Sequence, residues 1–426
     1  MSGKTHLSPA KSYRLLQYLN RRHAALERLL LAAAAYAGCL AVTGRPGLAR
    51  HLSREFWSDS FKDGLRRAYW YASRGWPGLG SPDSDPFFCF SDGLPLSESR
   101  NLARWVNRRA HRLPPRIAAL NRLTAQAQVV HQAALEQNQR LAASTLAAFL
   151  DDADRLLERL KTDRAHVPTP APPGNAGISS ANNSLSGDFA RDDAEVTLQD
   201  VARLLPLNAW RWTALSGTFL GLFREGDFLA HDFDIDLGLP AQDTDLGRMR
   251  NILKNSGRFE SVHTEYQYRL RVSPAGIRVT SVPVLVKAVH RTGIAVDFSL
   301  LHQEEGVWWH GSKAHRWDHT PQEFVDYQLR GIRILGPRDG DRYLTECYGD
   351  WRTPVRNFTC SSGRRNLVVV HNLMGVCLFL TRLLWHLSNG DTAGYDAVQR
   401  QMLQQRLLLR GDHHGLVRMN RHWFDD

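Results

Sequence analysis

Residues 216–238 read SGTFLGLFREGDFLAHDFDIDLG, and toward its end the stretch alternates Asp232, Asp234 and Asp236 with His231, Phe233, Ile235 and Leu237. On a β-strand, alternate side chains share a face. The three acids therefore line one side while the apolar residues enter a core. Like charges gathered on one face repel, and a bound cation reverses that penalty. Carboxylate-only ligands select a hard ion, Mg2+ or Mn2+. The alternative is an edge strand with a solvated acidic face. Upstream, Ser216-Gly217-Thr218 follows a short apolar strand and opens a helical stretch, where backbone N–H groups and a hydroxyl can meet an anion. Gly221 and Arg224 come one and two helical turns later, and the Arg224 fork can reach a phosphate or sit in a salt bridge.

A further acid comes from a second apolar run, 294–301 (IAVDFSLL), in which Asp297 stands alone. A carboxylate inside a buried strand is costly unless it is paired or binds a metal. Around these motifs the second half of the chain alternates strand and helix patterns. Strands are expected at 212–215, 233–239, 263–272, 278–286 and 294–301, with a weaker one at 307–309. Helices are expected at 196–205 and 367–387. His310, His315 and His319 fall in a polar stretch read as surface loop, as do His413 and His414.

The run LSGTFLGLFREGDFLAHDFDIDLG resembles the signature of the fukutin/LicD family, with its Gly-Thr turn, Leu-Gly-x-x-Arg helix and Asp-x-Asp-x-Asp strand in that order. YLTECYGDWRTP, residues 343–354, is similar to the family's second landmark, a Tyr-Gly-Asp-Trp segment followed by Thr-Pro. The resemblance spans roughly 196–360. It implies a nucleotidyltransferase fold like that of DNA polymerase beta. By position, Gly217 and Thr218 form the turn, Asp234 and Asp236 the acidic pair, and Asp297 the third acid. The resemblance also implies a metal-dependent phosphotransferase that moves phosphocholine, ribitol phosphate or glycerol phosphate from a CDP-activated donor to a glycan or glycolipid hydroxyl. Asp234, Asp236 and Asp297 would hold the metal. Asp232 is the candidate general base, with a supporting role as the alternative. Tyr348 and Asp350, beside Trp351, would border the nucleotide or acceptor pocket. Phe233 replaces an aspartate, and His231 a tryptophan, found in many bacterial members. Both alternate away from the acidic face, so the departure bears on substrate preference rather than on metal binding. A true nucleotidyltransferase and a catalytically silent scaffold acting through its helical part are the competing functions.

The first half carries organisation without such chemistry. Residues 29–43 (LLLAAAAYAGCLAVT) are apolar but shorter than the roughly 20 residues a spanning helix needs, which favours a buried alanine-rich helix over a membrane anchor. Phe56, Trp57, Phe61, Leu65, Tyr69 and Trp70 have helical spacing. Residues 75–95 form a Gly/Pro-rich loop holding Phe87, Phe88 and Phe90. From 116 to 161 neither glycine nor proline interrupts a heptad-like seam with a mid-run phase shift, suited either to self-association or to an amphipathic helix packed on its own domain. Residues 166–193 are rich in Pro, Gly, Ser and Asn and read as a linker. The expected class is α+β: an all-helical domain over 1–165, then a nucleotidyltransferase domain over 194–426 with a mixed sheet and C-terminal helices.

Composition bounds the partners. The 426 residues are 43% hydrophobic and 23% charged, with a net charge of +11. That suits a globular chain and phosphate-bearing partners, including peripheral contact with an anionic membrane face. No nucleic acid is expected. Five scattered cysteines argue against a disulfide framework or a cysteine-built zinc site, which places the chain in a reducing, cytoplasmic setting.

Overall fold

The computed structural model describes residues 96–112, 115–166, 190–230, 232, 234–313, 315–354, 364–411 and 417–425. The expectations for 1–95, for most of the linker, and for His231, Phe233, His413 and His414 lie outside the described residues. In chain order the helices are α1 (Leu96–Arg109), α2 (Pro115–Leu135), α3 (Gln139–His166), α4 (Arg191–Leu204), α5 (Leu207–Trp210), α6 (Ser216–Glu225), α7 (Leu246–Asn255), α8 (Gly340–Tyr348), α9 (Leu373–Ser388) and α10 (Thr392–Gln404). The strands are β1 (Thr213–Ala214), β2 (Asp234–Pro240), β3 (Phe259–Ser273), β4 (Gly276–His290), β5 (Ala295–Glu304), β6 (Val307–Gly311), β7 (Arg316–His319), β8 (Phe324–Leu329), β9 (Ile332–Pro337), β10 (Leu367–Val368), β11 (Leu408–Arg410) and β12 (Val417–Met419). Mixed α and β structure with a mixed sheet is thus present. No described helix is long and apolar enough to cross a membrane.

The chain forms two compact units, and neither is continuous in sequence. One comprises 178–267 and 282–368; the other gathers 1–177, 268–281 and 369–426. In the second unit the glycine-free run becomes two helices, not one. The seam's phase shift marks the break, where Gln137 takes φ 59° between α2 and α3. Leu120, Leu123 and Val130 of α2, with Phe149, Ala153 and Leu160 of α3, are all buried. α9 is mostly apolar and almost wholly buried, Thr381, Arg382 and His386 included. It starts six residues later than its sequence pattern suggests, because the Asn372 side chain caps it by accepting the Gly375 N–H at 2.7 Å.

The first unit is built on the sheet. Its strand order is β10-β7-β6-β5-β2-β1-β9-β8, and β4 lies between β3 and the start of β5. β2 runs parallel to β5 and antiparallel to β1. The alternation in the sequence sets which side is core: Ile235, Leu237 and Leu239 of β2 and Val296 and Phe298 of β5 are all 0% exposed. Burying each such side chain contributes about 1.5–3 kcal/mol. α6 lays Phe219 and Leu222 into the same core.

Six strands, β7 to β12, go beyond the sequence expectations. β8 ends the sheet, and its FVDYQL run is half polar, which weakens the apolar signal. Its turn is nonetheless legible: Arg330 and Gly331 both take positive φ, 51° and 77°, as a two-residue hairpin turn of the primed type requires. Arg330 also ties the turn to its unit, donating to Asp227 at 2.8 Å, Asp192 at 2.9 Å and Glu195 at 3.0 Å.

Candidate active site

Asp236 is fixed at three points by the segment that opens α6. Its backbone N–H donates to Thr218 Oγ1 at 2.8 Å, and its carbonyl accepts the Leu215 N–H at 3.1 Å. Its carboxylate Oδ2 accepts the Gly217 N–H at 3.2 Å. The positive end of the α6 dipole thereby faces the acid. Ser216, at the same turn, holds φ 47°, a costly conformation for a residue with a side chain. Its N–H is spoken for by the Tyr343 hydroxyl, which accepts it at 3.0 Å.

Register assembles the acids. In the parallel β2–β5 pair, Asp236 lies directly opposite Asp297, and Asp234 is two residues earlier on the same face. Carboxylate oxygens of Asp234, Asp236 and Asp297 lie within 4.8 Å of one another. Burial first, then the charges of Asp234, Asp232 and Asp297, push the Asp236 carboxyl well above the usual carboxylate range, with Arg364 opposing. A crowded, oxygen-only set whose central member is penalised for ionising fits a hard divalent cation. Asp297 also has a protein partner: Lys287 Nζ donates to its Oδ2 at 2.9 Å.

The remaining candidates occupy different places. Asp232 lies over Gly217, whose lack of a side chain makes room for it; a Cβ there would sit 2.6 Å from Asp232 Oδ2. Thr218 is fully buried, and its hydroxyl is committed to the backbone of Asp236. Thr218→Val removes that acceptor and strands a buried N–H. We expect a loss of about 1–3 kcal/mol, read as a lower denaturant midpoint with unchanged slope; an unchanged midpoint would show the bond to be dispensable. Arg224 does not extend toward the carboxylates: it donates to the Trp351 carbonyl at 3.0 Å and to Glu225 at 2.9 Å. Asp350 is exposed and accepts the Thr353 hydroxyl at 2.7 Å. Tyr348 accepts a hydrogen bond from Arg364 at 3.3 Å.

The second landmark thus packs behind the first. Tyr343 and Trp351, both buried, meet Phe219 and Phe223 of α6 with ring centroids 5.5 Å apart in each pair. Behind Tyr343 is a buried polar cluster that the sequence reading placed wrongly on the surface. His310 and His319 are only 2% and 6% exposed, because they sit on paired strands β6 and β7 rather than in a loop. Their nitrogens are 3.0 Å apart, and the His319 ring stacks on Tyr343 at 5.0 Å. Burial pushes His319 down to about 3, with Arg364 adding to the effect; His310 is lowered for the same first reason. Both imidazoles are therefore neutral at physiological pH. His315 is half-buried and bonds Ser312 Oγ at 2.8 Å. Arg364, itself buried, lies against the Trp317 and Tyr348 rings at 5.1 and 5.2 Å.

Lys287, Tyr343 and Arg364 are the residues that motif reasoning misses. Lys287 carried a usable signal, a lone charge within the apolar run VPVLVKAV, the same kind that singles out Asp297. Arg364 did not, since its importance lies in a cluster with no local pattern; Tyr343 opens the second landmark, but its bond to Ser216, more than a hundred residues away along the chain, has no local sign.

A helix-opening turn set against an acidic central strand, with a third acid on the parallel neighbour, is the arrangement expected of a nucleotidyltransferase-type site. Residues 211–335 match the family model described as LicD/FKTN/FKRP, nucleotidyltransferase domain, a match that supports a LicD/fukutin relationship for this part of the chain. Members of that family are transferases. No curated protein shows significant similarity to the chain.

Proposed function

We propose that this chain is a metal-dependent phosphotransferase that moves a phospho-alcohol from a CDP-activated donor to a hydroxyl of a glycan or glycolipid. The observation that carries this reading is the placement of Asp236 opposite Asp297 with Asp234 beside them, all within 4.8 Å. These three carboxylates would hold Mg2+ or Mn2+. When bound, such an ion supplies Lewis-acid stabilisation of phosphate charge.

The chain's own residues do the rest. The 215–218 segment holds Asp236 by backbone and side chain, so the acidic face is positioned before any ligand arrives. The attacking oxygen of the acceptor forms a bond to the distal phosphorus of the donor while the bond from that phosphorus to the CMP oxygen breaks. The acceptor's proton passes to a carboxylate, and Asp232, which lies over Gly217 close to Asp236, is the residue we assign to it. Tyr343, by holding the Ser216 N–H, keeps the turn in place without meeting the substrate. Phosphocholine, ribitol phosphate and glycerol phosphate are the donor groups considered.

The test is a screen of the full chain with CDP-choline, CDP-ribitol and CDP-glycerol against glycan acceptors, with and without Mg2+. Metal-dependent release of free CMP with phospho-alcohol on the acceptor is expected. Nucleotide incorporated into the acceptor would make the chain a nucleotidyltransferase instead, and metal-independent turnover would end the proposal.

A further inference from the structure

Three neighbouring strands place one residue each in a row across a single face of the sheet. Asp236 on β2 is paired with Asp297 on β5, and Asp297 is in turn paired with Lys287 on β4. Residues directly opposite in a sheet point to the same side. The Lys287 side chain therefore shares the acidic face, and its ammonium is on Asp297 Oδ2 at 2.9 Å. The lysine side chain is 27% exposed, whereas Asp297 beneath it is 13% exposed. Lys287 is thus on the open side of the row.

We infer that Lys287 is a substrate-binding residue, the ammonium that takes a phosphate oxygen of the nucleotide donor. The inference rests on the metal-dependent reading of the acidic cluster and deepens it. Lysine is a compact point charge on a flexible four-carbon stem, so it can leave one oxygen for another a few ångströms away. A divalent cation held by Asp234, Asp236 and Asp297 draws on the same carboxylate and repels the ammonium. The donor brings its own anionic oxygens to that cation, and they give the displaced ammonium a new partner of the kind lysine ordinarily binds. Arg224, the cation that the sequence offered for this role, is held by the Trp351 carbonyl and Glu225. Lys287 also keeps Asp297 paired until the metal and the donor arrive.

The test compares the full-length chain with its Lys287→Met and Lys287→Arg variants, each titrated with Mn2+ alone and with CDP at saturating Mn2+. Lys287→Met should bind Mn2+ alone at least as tightly as wild type, since a competing cation is gone, and should bind CDP about tenfold or more weakly. Lys287→Arg, which keeps a charge and donors, should hold CDP to within about threefold of wild type. Unchanged CDP affinity in Lys287→Met together with weaker Mn2+ binding overturns the inference, because the lysine would then only orient Asp297. Equal loss of CDP binding in both variants overturns it too, since charge would not be the cause. An absence of Mn2+-dependent CDP binding in the wild-type chain is a different failure, one that removes the underlying reading of the site.

Discussion

Asp236→Asn should abolish the proposed transfer, lowering kcat by about 10^3-fold or more because the proposed cation site loses its central ligand, and should at the same time raise the melting temperature of the metal-free protein. The second half follows from proton linkage. Burial and three neighbouring acids raise the folded-state pKa of Asp236, so the folded chain holds that proton more tightly than the unfolded one. Stability is then greatest below the unfolded-state value, near 4, and declines as pH rises through the raised folded-state value. At neutral pH the wild type carries this penalty and the asparagine variant does not. The amide oxygen can still accept the Gly217 N–H, so the turn survives. Melting curves across pH 4–8 in chelator should show the two proteins converging in acid and the variant ahead above it. A variant that melts lower at every pH would mean that Asp236 is a structural residue whose charge the fold needs.

Gly221→Ala should be the most damaging of the small substitutions near the site. Gly221 is buried in α6, and a Cβ there would lie 2.5 Å from the Asp227 carbonyl oxygen and 2.9 Å from the Leu229 nitrogen. Both are backbone atoms, which cannot rotate away. Alanine gains up to about 1 kcal/mol over glycine in helix propensity. Overpacking costs typically 1–3 kcal/mol and occasionally more, and with backbone on the far side of the contact the upper end applies. We expect the melting temperature to fall by about 5 °C or more. Activity should fall further than stability, because the displaced 227–229 segment leads directly into Asp232 and Asp234. A variant as stable as wild type, with full turnover, would show that the 227–229 segment yields without consequence.

The acidic face was legible in the sequence because strand alternation is a local property: Asp234 and Asp236 needed only their immediate neighbours to be placed. Asp297 was legible for a related reason, a charge isolated in an apolar strand. Which strands would adjoin is not local, and although Lys287 stood out as a lone charge, its place opposite Asp297 became visible only once β4 was paired to β5. The Gly217-Thr218 turn shows a different limit. The sequence reading gave its hydroxyl and N–H to an incoming phosphate, whereas in the fold they hold Asp236. Hydrogen-bonding groups announce themselves in a sequence, but their partners do not. His310 and His319 make the same point from the other side, since polar composition suggested solvent and the β6–β7 pairing buried them. The mixed sheet was foreseen in kind and incompletely in extent, with half-polar strands such as β8 giving the weakest apolar pattern.

The discontinuous unit formed by 1–177, 268–281 and 369–426 constrains how the polypeptide can mature on the ribosome. α2 and α3 emerge well before α9, which packs on both, and β12, which packs on α3. At synthesis rates of roughly 5–20 residues per second, tens of seconds separate the two. During that interval Leu120, Leu123, Val130 and Phe149 lack their final cover, and the 178–368 region has already been extruded between them. Nascent chains of this protein should therefore lean on holding chaperones until α9 and β12 have emerged, and products truncated before them should be quickly degraded.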